Sequence, residues 1–160
     1  MRFAKFWGLF IALFLASHAL LAWLGQPAWR ALDQWTAHLT AGSLRLLGVA
    51  ARAEESVVWS DWMSLRIIRG CTGVHQMILY VAGVAAFPAA WLRRLTGCLG
   101  GVLALTCLTQ VRLVSLCFVA KFWPVHFQFV HMVVWQSLMA VMTILFWLTW
   151  VVAAGHERAA

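Results

Sequence analysis

Leu95–Val119 reads LTGCLGGVLALTCLTQVRLVSLCFV, and this segment decides the fold class of the chain. Arg112 is its only charged residue. A helix needs about 20 mainly apolar residues to cross the hydrocarbon core of a bilayer. The segment therefore predicts a membrane-spanning helix, and the chain around it should be an integral membrane protein.

The composition of the whole chain agrees with this prediction. Of its 160 residues, 64% are apolar and 11% are charged, whereas soluble domains are about half apolar and about a quarter charged. The eleven Trp residues fit a membrane interface. The basic residues behind the net charge of +7 are scattered along the chain and form no basic stripe. This pattern argues against nucleic-acid binding. It is the pattern expected of residues that orient membrane spans and contact anionic lipid.

Three further apolar segments have about the length of a membrane span. They are Phe6–Leu24, Thr72–Trp91 and Val130–Val152. No clear small-residue cleavage site follows the first, which is therefore interpreted as an uncleaved signal anchor. The predicted fold is an all-α integral membrane protein, a single polytopic domain over residues 1–160 with about four transmembrane helices.

The distribution of Lys and Arg predicts the orientation of these helices. The N-terminus with Arg2, the Arg93–Arg94 turn and the polar tail with Arg158 should be cytoplasmic, because short basic segments stay inside. The segment Gln26–Gly70 and the loop Lys121–Phe127 should then face outward.

The outer segment Gln26–Gly70 is too polar to be a fifth span. Polar residues interrupt its first half at helical intervals: Arg30, Asp33, His38 and Arg45. An apolar face is predicted opposite them, formed by Trp29, Leu32, Trp35, Leu39, Leu46 and Ala50. This pattern indicates an amphipathic helix on the outer leaflet. Ser56–Trp59 and Ser64–Ile68 flank a turn at Ser60–Asp61 and predict a short β-hairpin that leads to Cys71.

Three polar residues come to the same outer face if the spans alternate. Cys71 begins the second span, His131 opens the fourth, and Arg112 lies roughly 10 Å deep in the third. A cation inside a span usually faces a protein interior or an aqueous cavity, although an arginine at this depth could also snorkel to the headgroups. A thiol, a guanidinium and an imidazole together predict cysteine nucleophile chemistry with a histidine as acid and base.

The surroundings of Cys71 favour a reactive thiol over a small apolar filler. Gly70 and Gly73 allow close backbone approach, and a helix N-terminus beside Arg69 favours thiolate. His75, at i+4 from the cysteine, is the rival of His131 for the role of base. His18 is interpreted as a buried polar contact of the first span.

The other three cysteines are interpreted as packing residues. They are Cys98, Cys107 and Cys117. Their depths along one span differ too widely for one metal site or reaction centre. No CxxC pair occurs, so neither a zinc knuckle nor a thioredoxin-like motif is supported.

The residues of the outer face resemble a known family. Gly70-Cys71-Thr72-Gly73, followed by Arg112 and His131, resembles the exosortase/archaeosortase family of membrane transpeptidases, over roughly Val57–Trp150. Four segments make exosortase H the most similar subgroup: Ala86–Ala89, Val111–Leu116, His131–Gln136 and Phe146–Trp150. Thr109 departs from the family pattern, which usually has Asn three residues before the arginine.

The resemblance implies a catalytic mechanism. Cys71 would attack the scissile carbonyl and form a thioester, Arg112 would stabilise the thiolate or the oxyanion, and His131 would move the proton to the leaving amine. Supporting residues that would shape the site are Arg69, Thr72, Gly73, His75 and Thr109. This chemistry needs no metal and no organic cofactor.

The resemblance also implies the partners and the location of the enzyme. The substrate would be an exported protein whose C-terminal sorting signal consists of a recognition motif, a transmembrane helix and a basic tail. The enzyme would be a multi-pass protein of the bacterial cytoplasmic membrane, in contact with lipid, with its active site facing the periplasm or the outside. The acceptor nucleophile stays open.

Two other function classes remain open from the residues. One is a quinone-coupled thiol oxidoreductase, which needs a cysteine pair on the outer face, for which only Cys71 and Cys117 qualify. The other is a non-enzymatic haem or scaffold protein that uses His18, His75 and His131.

Overall fold

The computed structural model describes residues 3–156, with side chains from residue 4 to residue 155. Its main elements are α1 Phe3–Leu46, β1 Ala51–Glu54, β2 Val57–Ser60, β3 Met63–Arg66, α2 Val74–Ala86, α3 Trp91–Phe122, α4 Phe127–Phe129 and α5 Trp135–His156. A π-helical turn, Val130–Val134, joins α4 to α5. The predicted cytoplasmic residues Arg2 and Arg158 lie outside the described residues.

The all-α membrane class is confirmed, and three helical stretches of the described chain have the length and hydropathy of a membrane span. They are Ala4–Leu46, Trp91–Phe122 and Pro124–Gly155. The predicted second span, Thr72–Trp91, contains only the 13-residue α2, about 20 Å long at helical rise. Pro88 follows shortly after α2, and a proline disfavours helical backbone in the residue before it.

The predicted first span and the predicted outer helix form one element, α1, with a kink between them. At Gly25 the backbone has φ 67° and ψ −155°, a conformation open to glycine and costly for other residues. Pro27 follows and cannot donate a helical hydrogen bond. Beyond the kink, α1 buries Trp29, Thr36, Ala37, Thr40, Ala41 and Leu44. Their spacing marks one helical face.

The three strands form an antiparallel sheet in the order β1-β2-β3. The predicted hairpin is β2–β3, where Ser60 pairs with Met63 around the turn. The strand β1 was not predicted, because Ala51-Arg-Ala-Glu54 lacks the β-branched and aromatic residues typical of strands. Antiparallel pairing with β2 stabilises this segment as a strand, although its residues have low strand propensity.

The described residues form two compact units, each with its own core. Within the described chain, the first unit draws on residues 3–23, Val74–Thr106 and residues 139–156, and its buried cluster is Tyr80, Val84 and Leu105. The second unit draws on Leu24–Gly73 and Cys107–Leu138. Its cluster is Ala37, Ala41, Leu44, Val58, Ile67, Cys71, Leu113 and Cys117. The single polytopic domain stays a prediction.

Candidate active site

Cys71 lies at the end of a short 3-10 turn, Arg69–Cys71, that follows the sheet in the second unit. The backbone N–H of Ile67 donates to the carbonyl of Ser56 at 2.7 Å, which ties the segment leaving β3 to the start of β2. The N–H of Cys71 donates to the carbonyl of Ile68 at 2.7 Å, and Thr72 Oγ1 donates to the carbonyl of Arg69 at 3.0 Å. These bonds hold the thiol in a fixed place, where Cys71 is 7% exposed.

His131 brings its ring to this thiol. The distance from Cys71 Sγ to His131 Nε2 is 3.8 Å, within reach of a sulfur hydrogen bond. His131 belongs to the π-helical turn Val130–Val134, and its ring stacks on Phe127 with 5.9 Å between centroids. Such turns insert an extra residue into a helix and are frequent at functional sites. The pair can therefore exchange a proton between sulfur and imidazole.

Arg112 is buried next to the pair. It is 1% exposed, and its guanidinium interacts electrostatically with Cys71 and with His131. Among the described residues, its Nε and Nη1 atoms have no hydrogen-bond partner. A snorkelling arginine would expose its head, so this burial supports an interior role. An interior guanidinium with unused donors can bind a developing negative charge.

Gly73 and Thr109 shape the backbone directly after the thiol. Gly73 has φ +70°, and a Cβ built on it would collide with Oγ1 of Thr109. Thr109 is fully buried one turn before Arg112 on α3. The hydroxyl therefore occupies the space that a side chain at position 73 would need. Thr109 thus packs against the loop that carries Cys71.

Two of the predicted supporting residues make other contacts. His75 lies in the first unit, where its Nδ1 is 3.1 Å from Nε2 of His18. The polar contact predicted for His18 is thus made with another histidine. The guanidinium of Arg69 lies over the ring of Trp29 at 5.3 Å.

The remaining cysteines do not join Cys71 in a metal site. All four cysteines are free; Cys107 is exposed and Cys117 is buried in the same core cluster as Cys71. Within the described part of the chain, no group of three or more His, Cys, Asp or Glu residues could hold a metal ion.

Sequence reasoning missed one polar contact beside the site. Thr40 Oγ1 donates to Gln110 Oε1 at 3.0 Å, which joins α1 to α3 next to Thr109. Thr40 is fully buried. Thr40 lies four residues from both Thr36 and Leu44, a helical spacing that could have placed it on the buried face of α1. The predicted face of this helix contained apolar residues alone, so Thr40 was missed.

The sequence also matches a known protein family. The sequence profile described as transmembrane exosortase matches residues 2–148. No curated protein and no solved structure matches the chain. The profile match includes Cys71, Arg112 and His131, while the resemblance to exosortase H in particular stays a prediction. The chain belongs to the transmembrane exosortase family, whose members are in general membrane peptidases or transpeptidases.

Proposed function

We propose that this protein is a cysteine transpeptidase that cleaves the C-terminal sorting signals of exported proteins at the outer face of the bacterial cytoplasmic membrane. The observation that carries the proposal is the 3.8 Å approach of Cys71 Sγ to His131 Nε2. The buried guanidinium of Arg112, with two unused donor atoms, adds a third group of matching chemistry. A nucleophile within reach of a base is the common arrangement of covalent catalysis.

In the first step, the thiol proton of Cys71 passes to His131 Nε2. The thiolate attacks the scissile carbonyl carbon, a C–S bond forms, and the π electrons of the carbonyl move onto its oxygen. Arg112 stabilises first the thiolate and then the oxyanion with its N–H donors. Donors that already point at the developing charge need no reorganisation during the reaction.

In the second step, the tetrahedral intermediate collapses and the C–N bond breaks. His131 gives its proton to the leaving amine, and the new carboxyl end of the exported protein remains on Cys71 as a thioester. An acceptor nucleophile then loses a proton to His131 and attacks the thioester carbon. The C–S bond breaks, the sulfur recovers the proton, and the product leaves on the acceptor.

The form of the sorting signal matches a membrane enzyme. A substrate held by its own transmembrane helix diffuses in the same plane as the protein, and its junction lies at a fixed depth. Holding the scissile bond at the thiol in this way makes a bimolecular step effectively unimolecular, which can supply a large part of the rate enhancement of an enzyme. The recognition motif would lie just outside the span, at the depth predicted for Cys71.

The decisive experiment is to trap the thioester. An exported protein with a candidate sorting signal is expressed with this enzyme, and the membrane fraction is searched by mass spectrometry for an adduct on Cys71. We expect an adduct that hydroxylamine releases, and no adduct in Cys71→Ala. The matched control is Cys107→Ala, because Cys107 is exposed and does not belong to the core cluster that contains Cys71. Cleavage that continues in Cys71→Ala would overturn the proposal.

A second candidate rests on the burial of Cys117 in the same core cluster as Cys71. A quinone-coupled oxidoreductase would oxidise the two thiols to a disulfide, with two electrons passing to the quinone. Its signature is a disulfide between the two residues and loss of function in Cys117→Ala. A redox titration of the purified protein that finds four free thiols at all potentials would exclude this candidate.

A further inference from the structure

A polar groove lies in the second unit beside the segment that leads to Cys71. It consists of two cavities of about 390 and 410 Å³ that share Asp33, Ser56 and Arg66. The first cavity is also lined by Arg30, Gln34 and Glu55. The second is also lined by Ile67, Ile68, Arg69 and Gly70. None of the three predicted catalytic residues lines it, so the groove is a feature additional to the catalytic pair.

Asp33 lies at the centre of the groove and has an unused acceptor. Its Oδ1 atom is buried and has no hydrogen-bond partner among the described residues. Arg69 acts on the carboxylate electrostatically, which leaves the hydrogen-bonding capacity of Oδ1 open. Rotation about the last side-chain bond of Asp is soft, so this oxygen can turn into either cavity. A ligand that brings an N–H would satisfy it.

The lining of the groove ends at Gly70, the residue directly before Cys71 in the chain. Arg66 ends β3, which is an edge strand of the sheet. Ile68 has extended backbone, with φ −125° and ψ 165°, directly before the turn Arg69–Cys71. A polypeptide laid along this segment in an extended conformation offers an N–H or carbonyl group about every 3.3 Å. The carbonyl group of the bound polypeptide that comes just past Gly70 would then lie beside the Cys71 thiol.

The charges of the groove favour a neutral polar ligand. Its arginines would oppose a metal cation or an ammonium group, and Asp33 and Glu55 would oppose a phosphate of a lipid headgroup. A peptide N–H carries no net charge, so neither sign opposes it. Extended peptides bind beside strand edges through main-chain hydrogen bonds in many recognition domains.

We propose that the polar groove binds the extended recognition segment of the substrate and that Asp33 accepts a backbone N–H from it. The inference rests on the proposed transpeptidase function and adds the site where the sorting signal is recognised. Asp33 is then a positioning residue, because it holds the substrate and takes no part in the bond changes at Cys71.

Photo-crosslinking tests whether the substrate occupies the groove. Benzoylphenylalanine replaces Gln34 in the full-length Cys71→Ala protein in membranes, and the probe is a reporter fused to the sorting signal of a protein exported by the same cell. We expect a crosslink that disappears when the recognition segment is removed from the reporter. The matched control places the crosslinker at Trp59, which lines a different cavity. Equal crosslinking from both positions would contradict the proposal.

Substitution of Asp33 tests the role of its oxygen. Asp33→Asn keeps a carbonyl acceptor, whereas Asp33→Leu removes it at similar size. We expect Asp33→Leu to raise the reporter concentration at half-maximal rate by about 10- to 100-fold, with the maximal rate unchanged. Asp33→Asn should stay within about threefold of wild type. Asp61→Leu, in the β2–β3 turn, is the control and should have no effect.

The outcomes separate this inference from the proposed function. If the wild-type protein forms no thioester on Cys71 with the reporter, the proposed function fails and this inference with it. If the thioester forms but Asp33→Leu keeps the wild-type concentration dependence, only the groove assignment fails. An equal loss in Asp33→Asn and Asp33→Leu would also overturn it, since the carboxylate charge and not its acceptor oxygen would then matter. Should Asp33→Leu not accumulate, the crosslink from Gln34 decides.

Discussion

Replacing Arg112 by lysine isolates the geometry of its charge. Both residues are cationic at neutral pH, and both have long stems that could reach the headgroups. The guanidinium is a planar fork of donors in fixed directions, whereas the lysine ammonium is a compact point charge. Arg112 is 1% exposed and directs unused Nε and Nη1 atoms into the protein interior. The substitution therefore keeps the charge and removes the fork.

The magnitude follows from the number of donors that are lost. Two donor nitrogens, Nε and Nη1, have no partner in the described chain, so one or both are available to the thiolate and the oxyanion. Loss of one preorganised oxyanion donor costs about 100- to 1,000-fold in rate, or about 2.7–4 kcal/mol. Because the ammonium retains part of the charge stabilisation, we expect Arg112→Lys to slow processing by roughly two to four orders of magnitude.

The assay is the rate of sorting-signal cleavage at matched abundance of the variants in the membrane. Abundance is measured in parallel, because an unsatisfied buried group also destabilises a protein. Arg52→Lys is the control, since Arg52 is exposed and pairs only with Glu54 at 3.2 Å in the described chain. It should process at the wild-type rate. Processing at the wild-type rate in Arg112→Lys would show that Arg112 is a structural anchor, and would refute its role at the oxyanion.

Three further predictions concern the thiol, the backbone behind it and the topology. Cys71→Ala should abolish processing while alanine at each of the other cysteines retains most of it; inactivity of the exposed Cys107→Ala at normal abundance would contradict this. Gly73→Ala should destabilise the protein by about 1–3 kcal/mol, because φ is positive and the new Cβ meets Thr109. Thermal unfolding in detergent measures the loss, and the double variant with Thr109→Ala should recover part of it; no recovery would mean that the contact is not the cause. A reporter fused after Arg94 should report the cytoplasm, and an external signal would reverse the predicted orientation.

The sequence was sufficient for the fold class because hydropathy alone separates a membrane chain from a soluble one. It did not predict which residues of the outer helix face the protein interior. The apolar face that was predicted to lie on the outer leaflet includes Trp35 and Leu46, which are 55% and 90% exposed in the protein. Lipid is as apolar as a leucine side chain, so apolar residues gain little by facing the protein, and small or hydroxyl residues occupy the interior. Thr36 and Thr40 are buried for this reason.

The sequence was sufficient to predict that Cys71, Arg112 and His131 lie together, because a polar residue is unusual at the depth predicted for each. Their catalytic roles stay a prediction. The partner of His75 was not predictable in the same way. Spacing at i+4 put it on the face of Cys71, but α2 begins only at Val74, after Gly73 with its positive φ. The helical periodicity assumed across that boundary does not hold there, and His75 pairs with His18 instead.

The burial of Cys71 bears on what happens after the first half of a transpeptidation. A thioester can be lost to water or captured by an acceptor, and the ratio of the two fates decides whether an enzyme trims its substrates or attaches them. At 7% exposure, the sulfur admits little solvent, and closed sites suppress hydrolysis of reactive intermediates. Under the proposed transpeptidase function, the lifetime of the acylated enzyme would be set by the arrival of the acceptor, and release of the exported protein would be coupled to its attachment.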